Sequence, residues 1–176
     1  ILLILIDDLG WKDIGCCGSK FYDTPSLDQL ARQGMRFTDA YASCPVCSPT
    51  RASILTGKYP ATVGITDWID WGFRIHPARG RVVDVPYLKE LPKSEYTLAK
   101  ALKDNGYVTW HVGKWHLGGE GHLPQDHGFD VNVGGCHWGS PSHGYFSPWR
   151  IPALETEKVP DGTDLTDYLT DRAIAL

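Results

Sequence analysis

The chain opens on six consecutive apolar residues, 1–6, broken at once by Asp7 and Asp8. A continuous apolar run of this length, without alternation, predicts a strand buried on both faces of a sheet. It is too short for a membrane span or a signal-peptide core, and the paired aspartates suit neither. Thr24-Pro25 predicts a helix start, with Leu27, Leu30 and Ala31 as its apolar stripe and Gly34 as its stop. Residues 35–41 predict a short strand. Ser48-Pro49 repeats the cap-and-proline pattern, so a second helix is expected over 50–56 with Gly57 at its end. Residues 58–93 are rich in Pro, Gly, Arg and Trp and predict a long irregular connection, a kind of loop that tends to carry function. Ser94 predicts the cap of a third helix through Leu98, Ala99 and Leu102, closed by Gly106. A strand over 107–112 follows, then a Gly-, His- and Pro-rich stretch without period to 152, then a helix over 163–176. Strand-like and helix-like segments alternate, which predicts an α/β fold with a mostly parallel central sheet flanked by helices.

Composition narrows the class. The 176 residues are 42% hydrophobic and 22% charged, the proportions of a soluble globular protein large enough to bury a core. A net charge of -4 gives no general pull toward nucleic acid or an anionic membrane. Seven Trp and eight Tyr predict aromatic surface as well as aromatic core. The five cysteines, Cys16, Cys17, Cys44, Cys47 and Cys136, are an odd count and do not form a disulfide scaffold for a chain of this length. Position 1 is not Met and the last helix has no C-terminal cap, so the chain reads as part of a longer polypeptide.

The strongest chemical signal is Cys47-Ser48-Pro49-Thr50-Arg51, continued by Ala52-Ser53-Ile54-Leu55-Thr56-Gly57-Lys58. Cys47 falls just before a helix start, where free backbone N–H groups and the helix dipole favour negative charge. Arg51 adds a planar donor fork suited to a tetraoxyanion. A nucleophile so placed suits attack on a sulfate or phosphate ester. The same residues are also compatible with a structural cysteine beside a capped helix, and Cys44-Pro45-Val46-Cys47 has the spacing of a thiol–disulfide exchanger. Asp7-Asp8, at the carboxyl end of the first predicted strand, supplies hard oxygens for a divalent cation. An isolated Asp-Asp pair is equally compatible with one capping and one solvated carboxylate. Lys114 and His116 lie in a Gly-rich loop, and by themselves read as surface residues.

Cys47-Ser48-Pro49-Thr50-Arg51 with its continuation resembles the signature of type I sulfatases, in the alkaline phosphatase superfamily. Thr50 stands where that family often has serine. Gly106-Tyr107-Val108-Thr109-Trp110-His111-Val112-Gly113-Lys114-Trp115-His116-Leu117-Gly118 resembles the family's second signature. Leu9-Gly10-Trp11-Lys12-Asp13-Ile14-Gly15, Gln125-Asp126-His127-Gly128-Phe129-Asp130 and Tyr168-Leu169-Thr170-Asp171-Arg172 resemble further family segments.

The resemblance implies an alkaline-phosphatase-like fold, with residues 1–176 as the truncated N-terminal part of the catalytic domain and the C-terminal subdomain outside it. It implies a sulfuric ester hydrolase in which Cys47 is oxidised to formylglycine, whose hydrated aldehyde attacks sulfur. Arg51 would stabilise the diol, Lys114 would place a point charge on sulfate oxygens, and His116 would take the remaining diol proton. Asp7, Asp8 and the residue derived from Cys47 would hold Ca²⁺, with Mg²⁺ less favoured. The partners implied are a sulfated small molecule or glycan and a maturation enzyme, either formylglycine-generating or anaerobic sulfatase-maturating; family habit implies export. The family's downstream Asp-Asn pair, His and Lys have no match here, His137 and His143 falling too close to His116, so an isolated chain is expected to be inactive. Trp68, Trp71, Trp138 and Trp149 lie in irregular stretches where they could stack on sugar rings. A phosphonate or phosphate ester hydrolase and a non-catalytic binding domain are the competing readings.

Overall fold

A computed structural model describes residues 1–70 and 85–176, which fall into two units, Ile1–Ala42 and Ser43–Leu176. In the first unit a 3-10 turn, Gly15–Cys17, precedes helix α1, Pro25–Gln33. Pro25 opens α1 and Gly34 ends it, as the cap pattern predicts, but Thr24 does not cap the helix. Its hydroxyl instead accepts the Gly15 N–H at 2.8 Å, and Asp28 in the first turn accepts the Cys16 N–H at 2.6 Å, so the 3-10 turn is tied to the helix.

Two expectations for this unit are corrected. Residues 1–6 form no strand and are exposed, from 42% at Leu5 to 92% at Ile1; residues 35–41 form none either. A strand exists only by pairing its backbone with a neighbour, and among the described residues of this unit no second strand offers one.

The second unit holds α2 (Cys47–Thr56), α3 (Pro60–Val63), α4 (Leu98–Asp104), β1 (Trp110–Val112), β2 (Val131–Val133) and α5 (Leu165–Ala175). Helix α2 starts before the expected Ser48 cap. Val46 is extended, with φ -129° and ψ 160°, and Cys47 is already the first helical residue. Gly57 ends the helix in the left-handed conformation, φ 69°, where a Cβ would be costly. The cap of α4 is Thr97 rather than Ser94, its hydroxyl accepting the Lys100 N–H. Asp164 caps α5 by accepting from Thr166 and Asp167.

Strands β1 and β2 pair in parallel, with Trp110 opposite Val131, His111 opposite Asn132 and Val112 opposite Val133. The parallel sense agrees with expectation; among the described residues the sheet has these two strands. One apolar cluster joins Ala52 of α2 to Val63, Ile65, Ile69, Leu91, Trp115 and Leu117. A second joins Val133 to Cys136, Trp149, Ile151, Leu154 and Leu165. The loop leaving β1 therefore runs between two packed cores, at the carboxyl end of a parallel strand, where α/β folds build sites. No helix among the described residues is long and apolar enough to cross a membrane.

Two histidines in these cores titrate far below the ordinary imidazole value. Burial, then the Lys100 charge, lowers His127 to about 4, and burial, then Arg51, lowers His111 to about 4. His127 is 0% exposed and neither ring nitrogen has a hydrogen-bond partner. In an unfolded chain both rings would take a proton near pH 6.5, so stability is full above that value and falls as the pH drops toward 4. At roughly 1.4 kcal/mol per pH unit of separation, a few kcal/mol are at stake. The melting temperature is expected to fall by about 5 °C or more between pH 7 and pH 4.5. His127→Phe, which removes one titration while keeping the ring, should flatten that slope in a thermal melt series.

Candidate active site

Helix α2 presents Cys47 at its first position, where the amide groups of the opening turn lack intrahelical partners. Arg51 lies four residues on, hence on the same helical face. Its Nη1 donates to the backbone carbonyl of Lys114 at 2.6 Å, which fastens α2 to the loop after β1. Thr50 donates its hydroxyl to the Cys44 carbonyl at 2.6 Å, a bond that serine in its place could also make.

That loop brings His116 to Cys47. Its Nδ1 stands 3.2 Å from the Cys47 Sγ, and its Nε2 stands 2.7 Å from the Ile69 carbonyl oxygen. A carbonyl only accepts, so Nε2 must carry a proton, and in the neutral ring Nδ1 is left as the acceptor facing Cys47. The geometry therefore makes Nδ1 a base toward whatever group residue 47 carries. His116 is 2% exposed and has φ 58°, an unusual conformation for a residue with a Cβ. Its N–H donates to the Cys136 carbonyl at 3.1 Å, while its neighbours Trp115 and Leu117 are 1% and 0% exposed in the first core. Gly139 lies flat against the imidazole; a Cβ there would sit 2.6 Å from Cε1, so only glycine fits without moving the ring.

The expected site residues divide between the units. Cys47, Arg51, Lys114 and His116 are neighbours in the second, where the Lys114 side chain is half-buried. Asp7 and Asp8 belong to the first, where they line a cavity of about 310 Å³ with Asp13, Asp23, Tyr22 and Thr24. Carboxylate oxygens are the hard donors that Ca²⁺ takes, so the chemistry of Asp7 and Asp8 fits that ion, while two residues supply only part of its six to eight ligands. No group of three or more metal-binding side chains occurs among the described residues. All five cysteines are free, so Cys44 and Cys47 are not bridged.

Sequence reasoning missed several contributors. The Ile69 carbonyl has no side-chain signature. Ser48, expected as a cap, instead accepts the Ile69 N–H at 3.1 Å and holds the segment carrying that carbonyl. His111, beside Arg51, was absorbed in a predicted strand. Of the tryptophans, Trp149 is 3% exposed and donates its indole N–H to the Tyr145 carbonyl, which makes it core rather than platform. Trp71 lies outside the described residues.

Residues 1–174 match the protein family described as Sulfatase. The chain belongs to the sulfatase family. It is 37% identical over 172 residues to N-acetylgalactosamine-6-sulfatase of Canis lupus familiaris, covering 91% of this chain and 31% of that protein. It is 43% identical over 143 residues to steryl-sulfatase of Mus musculus, covering 76% of this chain and 21% of that protein. Among solved structures it is similar to Ps i-CgsB, with TM-score 0.69 and 32% identity over 96% of this chain and 39% of the other. The same protein in complex with k-i-k-neocarrahexaose gives TM-score 0.67 at 31% identity, over the same shares of the two chains. This sulfatase chain thus spans about a third of the length of the relatives it matches.

Proposed function

We propose that the protein carrying this sulfatase chain hydrolyses a sulfate monoester of a carbohydrate, with residues 1–176 as the N-terminal part of its catalytic domain. The observation that carries the reading is Cys47 at the start of α2 with the Nδ1 of His116 3.2 Å away. The carbohydrate class is supported by the relatives, one a sulfatase of N-acetylgalactosamine and one bound to a neocarrahexaose.

The Sγ of the unmodified Cys47 occupies the place where the oxygens of a derived side chain would sit. Were residue 47 converted to formylglycine, its hydrated aldehyde would supply the oxygen nucleophile toward sulfur, and the S–O bond to the alcohol would break as the alcohol left with the proton of that attacking hydroxyl. His116 would take the remaining diol proton at Nδ1 so that sulfate departs and the aldehyde re-forms, with Nε2 engaged by the Ile69 carbonyl. The amide groups opening α2 and the guanidinium of Arg51 place positive charge where sulfate oxygens gather. Lys114 adds a point charge from the loop that Arg51 fastens. Asp7 and Asp8 would supply hard oxygens to Ca²⁺, a fixed positive charge of the kind an anionic ester needs. Conversion of Cys47 requires a maturation enzyme as partner.

The test is the full-length protein co-expressed with such an enzyme. Mass spectrometry of the peptide containing Cys47 should lose the thiol mass and gain an aldehyde. The product should release inorganic sulfate from sulfated hexoses. Phosphonate or phosphate diester cleavage without sulfate release would overturn the proposal.

A further inference from the structure

We infer that Trp138 and His143 form a wall against which the sugar ring bearing the sulfate packs, so that residues 137–143 determine specificity. This rests on the sulfate-ester reading above and adds to it the surface that recognises the alcohol. The start of the segment is anchored to His116 at two points. Cys136 accepts the His116 N–H, and Gly139 lies against the His116 ring. Trp138 lies between these two contacts in the chain, within two residues of each.

The indole is half-buried. One part packs against the second core, and His143 and His137 flank the ring. The His143 ring lies 5.7 Å away, tilted by 47°, and the His137 ring 6.2 Å away, edge-on at 85°. A turn holds His143 there, the Gly144 N–H donating to the Pro141 carbonyl at 2.9 Å. Tyr145 and Phe146 continue the surface, 59% and 63% exposed.

The chemistry of this surface selects its occupant. From Val131 to Trp149 the sequence contains no Asp, Glu, Lys or Arg. Exposed aromatic rings alternate instead with the small polar groups of Ser140 and Ser142 and with imidazole. A sugar ring has an apolar C–H face rimmed by hydroxyls, which matches an aromatic face rimmed by neutral donors and acceptors. A sterol or alkyl group would gain nothing from the polar rim, and a polyanion would find no Lys or Arg between Val131 and Trp149.

The experiment compares Trp138→Ala, Trp138→Phe and His143→Ala with the parent in the matured full-length protein. Galactose 4-sulfate, galactose 6-sulfate and 4-nitrophenyl sulfate serve as substrates. Trp138→Ala should raise KM for the better sugar sulfate by about fivefold with kcat held within twofold, since a ring stack is worth about 1 kcal/mol. Trp138→Phe should recover most of that loss, and His143→Ala should show a smaller rise. Turnover of 4-nitrophenyl sulfate, whose ring meets the indole but has no hydroxyls for the polar rim, should fall less than that of the sugar sulfate in all three. Equal loss on sugar and aryl substrates would make Trp138 a packing residue and overturn the inference, leaving the sulfatase reading in place. A parent that cleaves the aryl sulfate and neither sugar sulfate would overturn it as well. A parent that releases sulfate from none of the three would instead sink the proposed function.

Discussion

Cys47→Ala in the matured full-length protein is expected to abolish sulfate release, lowering kcat by about 10⁵-fold, the scale on which removing a covalent nucleophile acts. The fold should survive. Cys47 is at the first position of α2, where side chains make few demands on the helix, and alanine is a good helix former. The variant should therefore keep the parent's melting temperature to within about 2 °C, surface-like substitutions being small in effect. Coincident loss of folding and activity would remove the substitution as evidence about chemistry, and Cys47→Ser would then be the cleaner probe of the side-chain atom. Substantial residual sulfate release by a folded Cys47→Ala protein would show that the nucleophile lies elsewhere.

His116→Ala is the second large effect, a fall in kcat of about 10²- to 10⁴-fold, the usual worth of a positioned proton acceptor. Because the ring is 2% exposed, its removal leaves a void beside Gly139, and a melt is needed alongside the rates. Gly139→Ala separates the two contributions. It keeps the imidazole and fills no void, but its methyl would force Cε1 away from a 2.6 Å approach and turn Nδ1 off the Cys47 side chain. A clear drop in kcat for Gly139→Ala with KM little changed is the expected result. Parent-like rates in that variant would mean that the orientation of the ring does not matter.

What could be read in the sequence depended on how local the physics was. Pro25 at a helix start and Gly57 in a left-handed cap are decided within a few residues, and both stand as expected. The parallel sense of the β1–β2 pairing agrees with what alternating elements imply, but β2 itself falls in the stretch read as without period, three residues being too short to show one. Residues 1–6 were misread because an apolar run records what a segment would bury and not which backbone would pair with it. The start of α2 was misplaced by Ser48, a good cap residue whose hydroxyl is engaged by Ile69 across the chain. In the site, motifs pointed to Cys47 and His116 separately, but they stand 69 positions apart and only the fold makes them neighbours. The Ile69 carbonyl could not be read at all, since every residue has one, and Gly139 is one of 19 glycines.

The bond from Ile69 to Ser48 has a mechanical side. Beginning at Cys47, one passes to Ser48, across to Ile69, on to the His116 ring and back to the Cys47 sulfur, a closed circuit whose first two members are adjacent on one helix. Imidazole and sulfur are therefore mounted on the same chassis, with Ile69 at 1% exposure as its far strut. When α2 shifts, the imidazole travels with it, and the gap between Nδ1 and Sγ is kept by construction instead of by the stiffness of the surrounding loops.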